Sequence, residues 1–309
     1  MRKDDFNYLL SELNKTTQTR KIPTYYEYCL DKRNKNLTIK LLARGLKSNM
    51  QDDESAFESW AIVFKYYLRD LINTVTIDWE DLPPENKEGS LHFNRFIYRL
   101  GKFVQTYDWV KVSKTTPSIP TILACNCPNG EAAKQEAYPY NSEGWIECMF
   151  VEREKAKFDH INHQLPVGLF ENVVSKKTYF ATGQHSCIDI WAIKGKQMYV
   201  FELKKPDNNP LGIISELMFY TNVVNDILSH RIIYKYNNNK TLNEAISNNY
   251  RGFRDFYSTY KYGNIERINA VLLADTFHPL ITQELLDFIN ESVRLKYLQI
   301  KYSKQTVGL

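Results

Sequence analysis

Two apolar segments, residues 187–193 and 197–204, meet at Gly195-Lys196, and this pattern constrains the chain more than any other. Short apolar runs joined by a turn with Gly at its first central position predict a β-hairpin. In that register Lys194 faces Gln197, Ile193 faces Met198 and Asp189 faces Glu202. Residues directly opposite in a strand pair hold their Cβ atoms about 4.5–5.5 Å apart. Two carboxylates at that separation repel, so the pairing calls for a cation between them. Lys204, two residues beyond Glu202, shares its face by strand alternation. Ile188, Ile190, Ala192, Tyr199, Phe201 and Leu203 form the other face. Cys187, Trp191, Ile193, Met198 and Val200 keep even the carboxylate face mostly apolar, which predicts helices on both sides of the sheet. Charges inside such strands are paired or bind a metal.

The 309 residues suit one large domain or two ordinary ones. A stretch rich in Pro, Thr, Asn and Gly between Lys114 and Tyr140 is the best linker. It divides a mainly helical accessory region, residues 1–125, from a second domain, residues 126–309. In the first, helical spacing of Phe57, Trp60, Ala61, Phe64, Leu68 and Leu71 predicts a helix over 54–72. A strand is expected over 74–79, a break at Pro83-Pro84, a helix over 91–105 and a strand over 109–112. Lys32-Arg33 and Lys35 read as a solvated face.

The second domain opens with a helix over 142–158, capped by Asn141 or Ser142, whose stripe of Trp145, Ile146, Met149 and Phe150 adjoins Glu147. Residues 167–174 and 177–181 are expected to supply the first strand, ending at Thr182-Gly183. His160 and His163 read as surface residues of the preceding loop. After the hairpin, Asn209-Pro210 predicts a helix start, with the helix running to about Leu228 and Glu216 and Tyr220 sharing one face. Residues 229–262 then carry six Lys and Arg against Glu244 and Asp255, interleaved with eight Tyr and Phe. That mixture suits phosphate contact with base stacking, and equally an amphipathic helical insertion with a basic outer face. A buried strand over 268–274, a helix to about Leu295 and a strand over 297–302 complete a mixed sheet flanked by helices.

The residues Asp189…Glu202-Leu203-Lys204 resemble the signature of the PD-(D/E)XK nuclease superfamily, whose fold is restriction-endonuclease-like. Ile188 stands where the signature names proline. The resemblance spans about 142–302, because the element order is similar as well. Glu216…Tyr220 looks like the helix motif of RecB-type members, with Glu in place of Gln, and Glu147 falls where many members carry a helix glutamate. The resemblance implies a metal-dependent nuclease, an endonuclease on DNA with a role in restriction or phage defence, and a homodimer for double-strand cutting. Asp189, Glu202, the Leu203 carbonyl and Glu147 would then hold Mg²⁺ or Mn²⁺ through hard oxygens. Lys204 would position the attacking water or offset developing charge, with Glu216 and Tyr220 in support. The alternative is a non-catalytic nucleic-acid-binding protein retaining the fold.

Other classes lack their motifs: there is no P-loop, GxSxG or HExxH. Five Cys without a repeating spacing fit a reduced intracellular protein, and the Cys125/Cys127 pair reads as ordinary thiols. The first residues lack a signal-peptide core and no run reaches membrane-span length, so a cytoplasmic protein is expected. A net charge of +4 permits an anionic partner without requiring one.

Overall fold

The computed structural model describes residues 3–17, 21–81, 87–181, 186–206, 208, 210–291 and 298–308. The chain divides into two compact units. One comprises Met1–Ile119, Pro210–Glu216 and His278–Arg294; the other comprises Pro120–Asn209, Leu217–Phe277 and Leu295–Leu309.

The first unit runs α1 (Lys3–Thr17), β1 (Tyr26–Asp31), β2 (Asn36–Leu41), α2 (Ala43–Lys47), α3 (Phe57–Tyr67), β3 (Thr74–Trp79), α4 (Lys87–Thr106) and β4 (Val110–Val112). Its four strands form one sheet in the order β1-β2-β3-β4. The β1–β2 pair is an antiparallel hairpin, and β3 and β4 add in parallel. The helix expected over 54–72 forms as α3, burying Phe57, Trp60, Ala61 and Phe64, and the strand expected over 74–79 is β3. The Pro83-Pro84 break lies outside the described residues. Helices predominate in this stretch as expected, and the sequence reading lacked only the hairpin, whose strands alternate buried Tyr26, Tyr28, Leu37 and Ile39 with polar residues. Lys32, Arg33 and Lys35 are exposed at its turn.

The second unit holds β5 (Leu123–Cys125), α5 (Glu143–Glu154), β6 (His160–Pro166), β7 (Leu169–Glu171), β8 (Cys187–Lys194) and β9 (Gln197–Leu203). Helix α6 (Ile213–Leu228) follows, with its first turn grouped in the other unit. Then come β10 (Ile232–Ile233), α7 (Lys240–Asn248), α8 (Phe253–Tyr262), β11 (Arg267–Leu273) and β12 (Gln299–Gln305). The main sheet is five-stranded and mixed, in the order β12-β11-β9-β8-β6. Strands β6, β8 and β9 are mutually antiparallel, whereas β9, β11 and β12 are parallel. The α/β class and a mixed sheet are therefore as expected.

Several local expectations change. The first strand of the main sheet is β6, not 167–181, and His160 and His163 lie in it. Its polar sequence and terminal Pro166 suit an edge strand, where one side makes no ladder. Residues 169–171 instead join a small sheet ordered β10-β5-β7, which draws a buried strand from the expected linker. Thr182-Gly183 and Asn209 lie outside the described residues, as does the stretch 292–297 over which the last helix was expected to end. The insertion is amphipathic: Tyr234, Phe253, Phe256 and Tyr260 are buried, and Tyr262 is exposed.

The two faces of the sheet are covered as the hairpin predicts. Ile190, Ala192, Phe201 and Leu203 share a core with Ile146 and Phe150 of α5. On the other face Trp191 meets Phe256 of α8 edge-on, with ring centroids 5.5 Å apart. No helix among the described residues is long and apolar enough to cross a membrane.

Candidate active site

The hairpin register is the predicted one: Lys194 pairs with Gln197 and Ile193 with Met198. The ladder ends at Ile190–Phe201, one step before Asp189 and Glu202 would pair. There the Asp189 carboxylate takes over, accepting the Leu203 amide N–H through Oδ2 at 2.8 Å. Its carboxylate thus reaches across the strand pair to the backbone between Glu202 and Lys204.

Glu202 ends up almost fully buried, and Lys204 donates from Nζ to its Oε1 at 2.6 Å. The Lys204 backbone is anchored separately, its N–H bonded to the Leu273 carbonyl of the neighbouring strand at 2.9 Å. The buried cation therefore sits beside the buried acid, which removes the cost of leaving either alone in an apolar sheet.

Glu147 of α5 lies within electrostatic reach of Lys204. Ser142 caps that helix, its Oγ accepting the Trp145 N–H, and the second turn carries Glu147 into the interior. Gln164 Nε2 donates to Glu147 Oε2 at 2.7 Å, and His163 Nδ1 lies 3.3 Å from the same oxygen. Burial pushes the Glu147 carboxyl up to about 7, opposed by the Gln164 amide and by the positive charges of Lys204 and Arg251. Lys204 is thus electrostatically coupled to Glu202 and Glu147 together. His163 is buried rather than a surface residue, and desolvation lowers its pKa.

The helix pair Glu216 and Tyr220 is divided. Glu216 is grouped with the first unit, where its charge acts on Asp52, and Tyr220 belongs to the second. Both are largely buried on one face of α6.

Two residues of this region carried no functional signal in the sequence. Gln164 bonds Glu147, and Arg251 of the insertion donates from Nη1 to the Gln164 carbonyl at 2.8 Å. Arg251 had counted only toward the basic excess of the insertion. A glutamine on an edge strand has no sequence signature at all.

Among the described residues no three His, Cys, Asp or Glu side chains converge into a ready metal cage. The donor set of Asp189, Glu202 and the Leu203 carbonyl is nonetheless all hard oxygen. It fits Mg²⁺ or Mn²⁺, since Mg²⁺ binds through one or two carboxylates and keeps waters or substrate phosphates for the rest. No family model, curated protein or solved structure matches the chain.

Proposed function

We propose that this chain is a metal-dependent nuclease with a restriction-endonuclease-like second unit. The observation that carries the reading is the end of the β8–β9 hairpin, where Asp189, Glu202 and Lys204 gather among mostly apolar strand residues. Asp189, Glu202 and the Leu203 carbonyl would hold Mg²⁺ or Mn²⁺, with Glu147 as a further donor. When bound, such an ion supplies Lewis-acid stabilisation of charge on a phosphodiester. Lys204, held beside Glu202, orients the attacking water and offsets the charge that develops on the phosphate oxygens. Glu216 and Tyr220 of α6 are placed in supporting roles by their motif spacing alone.

The substrate in this reading is DNA, and the basic face of the insertion, with Arg254 and Lys261 exposed on α8, gives it a phosphate-contacting surface. A homodimer, a cytoplasmic location and a role in restriction or phage defence follow by family analogy. The second reading is a nucleic-acid-binding protein that retains the fold without cleaving.

Incubation of plasmid and oligonucleotide DNA and RNA with the full chain across divalent metals separates the two. Cleavage that needs Mg²⁺ or Mn²⁺ and is lost in Asp189→Ala, Glu202→Ala and Lys204→Ala is expected. Equal cleavage by all three variants would overturn the site. Binding without cleavage in every metal would establish the second reading.

A further inference from the structure

Gln164 lies within β6 at φ 56°, in the left-handed region that residues with a Cβ seldom occupy, least of all inside a strand. The register that pairs His163 with Ile190 and Leu165 with Ile188 sets Gln164 opposite Asp189, and that pair is missing from the ladder. Its partner Arg251 is also left-handed, at φ 51°. The two are joined by the Arg251 Nη1 bond to the Gln164 carbonyl, and Arg251 is fixed in turn. Its Nε donates to the Gly130 carbonyl at 3.2 Å and its backbone N–H to Glu131 Oε2 at 3.3 Å. Backbone strain of this kind persists where neighbours over-determine it, and it gathers at ligand clamps and active sites.

The device ends on Glu147. Both hydrogen bonds to that carboxylate, from Gln164 and His163, fall on Oε2, and among the described residues none falls on Oε1. Oε2 is thereby the oxygen that both neighbours hold.

We propose that Gln164, locked by Arg251, is a positioning residue that fixes the Glu147 carboxylate for a divalent cation. The inference rests on the nuclease reading above. A carboxylate oriented by an outer hydrogen-bond partner binds metal more tightly, and loss of such a partner typically weakens metal affinity about 10- to 100-fold.

The test uses the full chain and Mn²⁺. Gln164→Gly removes the amide while accepting the left-handed backbone without strain, so the fold is retained. Calorimetric titration with Mn²⁺ is expected to give affinity roughly 10- to 100-fold weaker than wild type, and saturating Mn²⁺ is expected to restore the cleavage rate. Arg251→Met should act in the same direction. In a Glu147→Gln background the Gln164→Gly change should add nothing, because both act through one carboxylate. Wild-type Mn²⁺ affinity in Gln164→Gly, or an undiminished effect in the Glu147→Gln background, would overturn the clamp and leave the nuclease reading standing. Failure of the wild-type chain to take up Mn²⁺ would overturn both.

Discussion

Glu202 and Lys204 stand two residues apart with side chains only 2% and 6% exposed, so each offsets part of the other's cost of leaving water. Breaking a buried pair from one side costs far more than replacing both partners with neutral groups. Lys204→Ala is therefore expected to destabilise the protein by about 3–5 kcal/mol in urea unfolding, and Glu202→Gln with Lys204→Met to recover most of that loss. Equal destabilisation by the single and double variants would show that the pair is not coupled. Glu147 gives a second handle. Its carboxyl is raised from 4.5 to about 7, so between those pH values the folded chain holds a proton that the unfolded chain has released. Stability must then fall as pH rises through that window. Metal-free Glu147→Gln should lack this component, seen as a smaller loss of unfolding free energy between pH 4.5 and 7.5 than in wild type. Parallel pH profiles for the two proteins would contradict the burial argument.

At the level of elements, the joint between insertion and sheet is set by a glycine. Gly252 adopts φ 72°, and a Cβ there would come within 2.8 Å of Trp191 Cζ2 and 3.1 Å of Asn162 Cβ. Gly252→Ala should cost about 1–3 kcal/mol through strain and crowding, read as a lowered thermal midpoint; an unchanged midpoint would mean the joint gives freely. Neighbouring elements differ in how far the sequence announces them. The β8–β9 register was legible because Gly195-Lys196 fixes the two-residue turn, and the turn sets which residues pair. The α5 start was legible through Ser142, and β3 and α3 through periodicity. Strand β6 was not, since an edge strand need not look apolar, and β1 hides its buried tyrosines among Glu27, Cys29 and Asp31. The site divided likewise. Asp189, Glu202 and Lys204 violate an apolar pattern and so stand out, whereas Gln164 and Arg251 act through left-handed backbones that neither residue type advertises.

For the whole molecule, the decisive fact is that each compact unit is assembled from three separate stretches of chain. The first unit cannot be completed by residues 1–119. Phe288, on the helix Gln283–Glu291, packs its ring 5.4 Å from Tyr66 and 6.2 Å from Trp109. The Tyr67 hydroxyl donates to the Leu280 carbonyl at 3.0 Å, and Ser59 and Ser215 share a buried hydroxyl pair at 2.7 Å. Leu280, Ile281, Leu285, Leu286 and Ile289 are all buried as well. Removing five buried aliphatic side chains forfeits about 1.5–3 kcal/mol each, against a typical domain stability of roughly 5–15 kcal/mol. A fragment ending at Ile119 is therefore expected to keep helical far-ultraviolet dichroism but lose the near-ultraviolet signal of its packed aromatic rings and the cooperative melt. A fragment that melts sharply with an intact near-ultraviolet spectrum would mean that β1–β4 and their helices form a self-sufficient core without residues 278–294.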